Sequence, residues 1–330
     1  MARMVNTVTG PVSSDQLGGV LAHEHFIFGY PGFHGDVSFD TFNTDAYLAH
    51  ISAVADTLKK QGIKTVVDAT PNECGRDPEL LKKVSEVTGL NIICSTGYYY
   101  EEESASSYFT FRTVLGFDTE NEIYELMKRE TGDGIAKTGI KAGVVKLASG
   151  KGAISKYEML FFKAACRLAR ENKDIRIITH TSEGTCILEQ AELFLSEGVN
   201  PKQVQIGHFC GTTDVMVQSK ALEMGFYGAF DRLGLENMVG APYDKYRFAC
   251  IAALVSAGFG DQLVLSTDHI QAFRGRPYTF PPQMIEAHFK NWRWEYIMDG
   301  VLPALKKLGL SDEQLHKFMF DNPARFYGEV

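Results

Sequence analysis

Much that marks other protein classes is missing from this chain of 330 residues. No run approaches the ~20 apolar residues of a membrane span, and the N-terminal MARMVNTVTGPVSS lacks the apolar core of a signal peptide. No low-complexity or Pro/Gly/Ser-rich stretch marks a linker. Neither G-x-G-x-x-G nor a Walker A sequence follows a candidate strand, which argues against the doubly wound open sheet that is the main rival fold. Basic residues are scattered in a chain of net charge −8, so there is neither a nucleic-acid footprint nor a polybasic membrane patch. Neutral or metal-bound small molecules are the partners that remain. Cys74, Cys94, Cys166, Cys186, Cys210 and Cys250 show no C-x-x-C spacing and lie mostly in apolar runs, as reduced core thiols do. Cys210, two residues after His208, reads as a buried bystander. A cytoplasmic location is the expectation.

What is present is an alternation. β-branched runs occur at 18–23, 64–70, 90–97, 142–148, 175–180, 204–208, 225–231 and 262–268. Between them lie amphipathic segments such as 44–62, 157–172, 184–198 and 243–258, several of which end at glycine. Continuous apolar strands alternating with helices imply parallel pairing with both sheet faces covered. Eight such units predict one (β/α)8 TIM barrel domain over residues 1–330. MVNTVTGPVSS, with its Thr-Gly-Pro turn, reads as a short N-terminal hairpin capping the bottom of the barrel. After the eighth run, 269–283 is long for a loop between strand and helix and carries aromatics, arginines and two successive prolines before a long helix. Its position at the C-terminal face makes it a pocket lid.

Barrel chemistry gathers at strand C-termini, so the last residues of each run are the ones to inspect. His23 and His25 end the first run one residue apart, and in a strand that spacing turns both imidazoles to one side. Lys146 lies on the fourth run, His180 ends the fifth, His208 the sixth and Asp268 the eighth. Imidazoles with a carboxylate suit zinc, iron, cobalt or manganese, and the absence of a thiolate cluster argues against a structural site. Lys146, in VVKLAS, reads two ways. Its stem can pack on the barrel while its ammonium reaches water or an acidic neighbour, which is the reading spacing alone favours. Alternatively, burial beside positive charge leaves a neutral amine that takes up carbon dioxide as a carbamate.

The ordered set HEH, VVKLAS, ITHTSEG, IGHFCG and STD resembles the phosphotriesterase-like lactonases of the amidohydrolase superfamily. The similarity runs from about Asn6 to Tyr327 and includes FGYPGF, NIICSTGYYY, FDRLG, MVGAP and NPARF. This resemblance implies two divalent metal ions, zinc first among the candidates. His23, His25 and Asp268 would hold the more buried ion, His180 and His208 the more exposed one, and carboxylated Lys146 would bridge both together with a hydroxide. It implies opening of acyl-homoserine or γ/δ-lactones by that hydroxide, with Asp268 passing the proton, and phosphotriester hydrolysis as a side activity. A dedicated phosphotriesterase is the alternative; a cyclic amidase or deaminase and a non-catalytic scaffold barrel stand further off. Tyr99 matches a tyrosine over the metals, and Arg232 a residue at the pocket mouth that anchors a loop or binds substrate. Phe273 and Tyr278 would wall an acyl tail, whereas Tyr98 and Tyr100 would point away and pack if the strand conformation persists past residue 97. A homodimer is implied. Two positions depart from the family pattern: Thr267, followed by His269, stands where a histidine commonly precedes the aspartate, and Phe273 replaces a tryptophan.

Overall fold

A computed structural model describes residues 3–277 and 279–329, so Tyr278 lies outside the described residues. The hairpin forms as expected from β1 (Met4–Thr7) and β2 (Gly10–Ser13). It caps the N-terminal end of the barrel, where Val8 N donates to Ile92 O at 2.9 Å and Asn6 Nδ2 donates to Ala142 O at 3.2 Å. All eight strand expectations are met, by β3 (Gly19–Glu24), β4 (Ile63–Asp68), β5 (Asn91–Gly97), β6 (Val144–Ser149), β7 (Ile177–Thr181), β8 (Val204–Ile206), β9 (Tyr227–Phe230) and β10 (Leu263–Leu265). They pair in parallel and in sequence order from β3 to β10. The sheet closes just beyond its last strand: Asp268 N donates to His23 O at 3.2 Å and His25 N to His269 O at 3.1 Å.

The helices show why the amphipathic pattern was readable. In the helix Thr44–Lys60 the buried positions Tyr47, Ile51, Ala55 and Leu58 fall on one stripe, Asn43 caps the start and two lysines occupy the last turn. Lys156–Glu171 opens with a reciprocal capping box between Ser155 and Glu158. Inside the barrel Val20, Ala22, Val67, Ile93, Val144, Ile178, Ala229 and Val264 form an apolar plug beneath the C-terminal mouth, the end where barrel chemistry gathers. β5 and β6 approach closely because residue 97 is glycine. With φ at +130°, a Cβ there would stand 1.9 Å from Lys146 O.

Two expectations need correction. The long helix after the final loop is instead two shorter pieces, Pro282–Phe289 and Ile297–Lys307, both containing π-helical turns. The chain breaks between them to bring two indoles down on the end of β10, where Trp292 Nε1 donates to Thr267 O at 2.9 Å and Trp294 Nε1 to His269 O at 3.3 Å. The sixth and eighth strands also stop short of their ligand-type residues. His208 and Asp268 lie past the ladder with φ of 52° and 53°, a region that non-glycine residues rarely adopt and that clusters at functional sites. The six cysteines are all unpaired, and Cys210 is fully buried, its thiol pushed up to about 11 by burial. Among the described residues no helix is long and apolar enough to cross a membrane.

Candidate active site

His23, His25, Tyr99, Lys146, His180, His208, Arg232, Asp268 and Phe273 all line one cavity of about 420 Å³ at the C-terminal mouth. At its floor, atoms of His23, His208 and Asp268 lie within 4.8 Å of one another, close enough to share one metal ion. Asp268 Oδ1 is 3.1 Å from His25 Nε2 and 3.5 Å from His23 Nε2. The ring centroids of His180 and His208 are 4.4 Å apart, and those of His23 and His208 5.0 Å.

Each imidazole is oriented from behind. His25 Nδ1 contacts Thr70 Oγ1 at 2.8 Å, and His208 Nδ1 contacts Asp231 Oδ1 at 2.9 Å. His23 Nδ1 lies 2.8 Å from Asp231 Oδ2, so one carboxylate steadies two rings. This leaves the Nε2 atoms of all three facing Asp268. His180 is tied the other way, Nε2 meeting Ser182 Oγ at 3.1 Å. Burial holds His23 down at about 3 and lowers His180 and His208 as well, so these rings stay neutral, the form that binds metal. Burial also opposes ionisation of Asp231 and Asp268, but the facing imidazoles outweigh it, joined at Asp268 by Arg232, and hold both below the usual carboxylate range.

Lys146 does not reach water. It is 1% exposed, its Nζ sits 2.8 Å from His23 Nε2, and burial lowers it to about 8. The amine is thus kept from solvent, with the carboxylates of Asp268 and Asp231 acting against burial to hold its proton, and it stands among the ligand-type nitrogens. Arg232 Nη1 donates to Val239 O at 2.9 Å, anchoring a loop, and its Nε donates to Asp268 Oδ2 at 2.9 Å, a partner the sequence reading did not name. Tyr99 sets its ring 5.1 Å from that of His180. Tyr98 packs on Phe109 and Phe161 as expected, but Tyr100 does not point away. It lines the cavity, stacked at 5.1 Å on His180, because β5 ends at Gly97 and strict alternation ends with it. Phe273 bridges Phe28 and forms part of the wall.

Sequence reasoning missed two buried acids. Asp231 ends the run 225–231, so the strand-end criterion that selected the ligands would have found it. Glu24, between the two histidines, takes hydrogen bonds from Ser266 and Thr267 side chains and from the backbone of Thr267 and His269. Thr267, the departure noted above, therefore spends its hydroxyl on Glu24.

Fold and site together define a barrel hydrolase with a metal-type cluster of imidazoles, carboxylate and lysine at its mouth. The chain belongs to the phosphotriesterase family, whose sequence model matches residues 3–327, and is accordingly an enzyme, a binuclear metal-dependent hydrolase. A phosphotriesterase homology protein of Mycobacterium tuberculosis is 31% identical over 331 residues, spanning 98% of this chain and 97% of its own. The organophosphorus hydrolase from Deinococcus radiodurans is 49% identical with a TM-score of 0.95, covering 98% of this chain and 97% of that one. A further solved structure, from the molecular engineering of organophosphate hydrolysis activity from a weak promiscuous lactonase template, is 47% identical with a TM-score of 0.96, covering 99% and 100% of the two chains.

Proposed function

We propose that this chain is a lactonase that opens acyl-homoserine or γ/δ-lactones and hydrolyses organophosphate triesters as a side activity. The observation that carries the reading is the cavity itself: an imidazole and carboxylate floor under aromatic and aliphatic walls that include Phe28, Tyr99, Met238, Phe273 and Trp292. Such walls suit a neutral ring with an apolar tail, and about 420 Å³ falls within the ordinary span of small-molecule sites. The two metal ions, zinc foremost, would be held by His23, His25 and Asp268 on one side and by His180 and His208 on the other. Lys146 would join them once its neutral amine has added to carbon dioxide with loss of one proton, giving a carbamate. When bound, the ions supply an activated water and polarise the carbonyl or phosphoryl oxygen of the substrate.

The chain's own residues do the rest. Asp268 turns Oδ1 to His23 and His25 and Oδ2 to Arg232 and His208; as the carboxylate at the cavity floor it takes the nucleophile's proton and hands it to the leaving alkoxide. Arg232 positions that oxygen and ties it to the loop at Val239. Tyr99 orients the lactone beside His180, while Phe273 excludes water from the tail. One domain over 1–330 is supported by the seam joining 23–25 to 268–270 and by Arg176, whose guanidinium donates to Tyr327 O and Glu329 O. A homodimer fits the exposed apolar stretch of Tyr108, Phe111, Val114, Leu115 and Phe117. Six unpaired thiols suit a reducing, cytoplasmic setting.

The test is kcat/KM on acyl-homoserine lactones, γ- and δ-lactones and paraoxon, after chelation and metal reloading. Lactones should lead and activity should return with metal. If paraoxon leads, the enzyme is a dedicated phosphotriesterase; if nothing returns, the hydrolytic reading falls.

A further inference from the structure

The metal-type cluster draws on the first and last strands of the barrel: His23 lies near the end of β3 with His25 just past it, and Asp268 lies just beyond β10. Backbone bonds join the two there, Asp268 N to His23 O, His25 N to His269 O and Gln271 N to His25 O, but they leave the direction of the Asp268 side chain to the turn that carries it. Glu24 lies at that seam, fully buried between the two histidines, with its carboxylate turned toward residues 266–269. Oε1 accepts from Ser266 Oγ at 2.7 Å, Thr267 N at 2.8 Å and Thr267 Oγ1 at 2.9 Å. Oε2 accepts from Thr267 Oγ1 at 2.8 Å and His269 N at 2.8 Å. Every donor flanks Asp268, and none belongs to it. Asp268 itself sits at φ 53°, a left-handed conformation uncommon for any residue but glycine.

We infer that Glu24 is a positioning residue: its carboxylate clamps the 266–269 turn onto β3 and thereby places the Asp268 carboxylate against His23 and His25. A buried carboxyl is costly unless its oxygens are partnered, and here the partners are two backbone amides and two hydroxyls, all on the 266–269 turn. In Glu24→Gln the amide carbonyl can keep Ser266 Oγ and Thr267 N, but its NH2 group then faces the N–H of His269, donor against donor. The turn must shift, and Asp268 shifts with it. Thr267→Val removes the hydroxyl contacts and leaves both backbone amides in place, so it is the milder version of the same perturbation.

The inference rests on the metal-binding reading above, and its test separates the two. Zinc affinity is measured by chelator competition, and the visible absorption of the cobalt-loaded protein reports the ligand set. Outer-shell partners of metal ligands are typically worth ~10–100-fold in affinity or activity. Glu24→Gln should weaken zinc within that range, alter the cobalt bands and lower kcat with KM unchanged; Thr267→Val should do the same to a smaller degree. Should Glu24→Gln fail to fold, Thr267→Val decides alone. Wild-type zinc affinity and cobalt spectra in the variants, whatever their melting temperatures, would overturn the clamp while leaving the metal reading intact. A wild-type chain that binds neither ion would overturn both.

Discussion

Asp231 offers the sharpest test of how the site is built, because one fully buried carboxylate serves two ligand rings. Its Oδ1 accepts from the His208 backbone N–H and meets His208 Nδ1, each at 2.9 Å, while Oδ2 lies 2.8 Å from His23 Nδ1. The hydrogen bond to Oδ1 sets the His208 proton on Nδ1, and the close Oδ2 favours the same tautomer for His23, so that each ring offers Nε2 inward. Asp231→Asn keeps the volume but replaces one oxygen by NH2. The amide's best placement sets its carbonyl toward His208, where two donors wait, and its NH2 toward His23. His23 must then accept at Nδ1 and carry its proton on Nε2, which removes it as a ligand. Losing the partner behind a ligating histidine costs ~10–100-fold in metal affinity or activity, or about 1.4–2.8 kcal/mol at 1.4 kcal/mol per tenfold. A full tautomer change in His23 places the expected loss at the upper end. Zinc competition and kcat/KM on a lactone should fall together, with Asp231→Ala worse because neither ring is then anchored. A folded Asp231→Asn protein with wild-type zinc affinity and turnover would refute the tautomer argument.

Other expectations follow from the same geometry. Asp268→Asn should keep metal, since Oδ1 remains a ligand, yet lose hydrolysis by orders of magnitude; near-wild-type turnover at full occupancy removes the aspartate from proton transfer. Gly97→Ala forces a Cβ to 1.9 Å from Lys146 O at φ +130°, so it should cost about 3 kcal/mol or more or abolish folding, read by denaturant titration. His269, outside the ligand set, is lowered to about 4 by burial, so the folded protein keeps it neutral where the unfolded chain protonates it. Its contribution is full above ~6.5 and is lost as pH falls toward 4. Relative to His269→Phe, metal-free wild type should therefore lose up to about 1.4 kcal/mol per pH unit in that window, and parallel stability curves would contradict the assignment.

Sequence periodicity carried the architecture because each strand and helix is a local statement: Ile51, Ala55 and Leu58 mark a buried face whatever the rest of the chain does. The metal-type residues were readable for a related reason, being strand-end groups that a barrel must gather at one mouth. What escaped is long-range. Glu24 meets its partners 242 to 245 residues away, and alternation alone assigns it only to the side opposite the histidines. Tyr100 entered the cavity because β5 stops at Gly97, an ending that a run of three tyrosines does not reveal. Arg232 divides itself between a loop carbonyl and Asp268, a choice made by distances that arise only after the barrel closes.

Closure and metal binding should then be coupled. The seam between the first and last strands is joined by backbone bonds from Asp268 N to His23 O at 3.2 Å, His25 N to His269 O at 3.1 Å and Gln271 N to His25 O at 3.0 Å, with Phe28 N to Ala272 O and Arg274 N to Phe28 O further on. The first three each involve a residue of the proposed ligand set. An ion held jointly by His23, His25 and Asp268 would cross-link this seam, and since the unfolded chain offers no such site, binding stabilises the closed form by RT ln(1 + [L]/Kd), about 2.7 kcal/mol at a hundredfold excess over Kd. The gain should be local as well as global. Hydrogen exchange should slow at the His25 and Asp268 amides on zinc loading, while amides in β6 and β7, paired along their whole length from Val145 to Thr181, change only with global stability. Equal slowing in all strands would mean that the ion does not act as a clasp, and the division of ligands between the two ends of the barrel would then have no mechanical consequence.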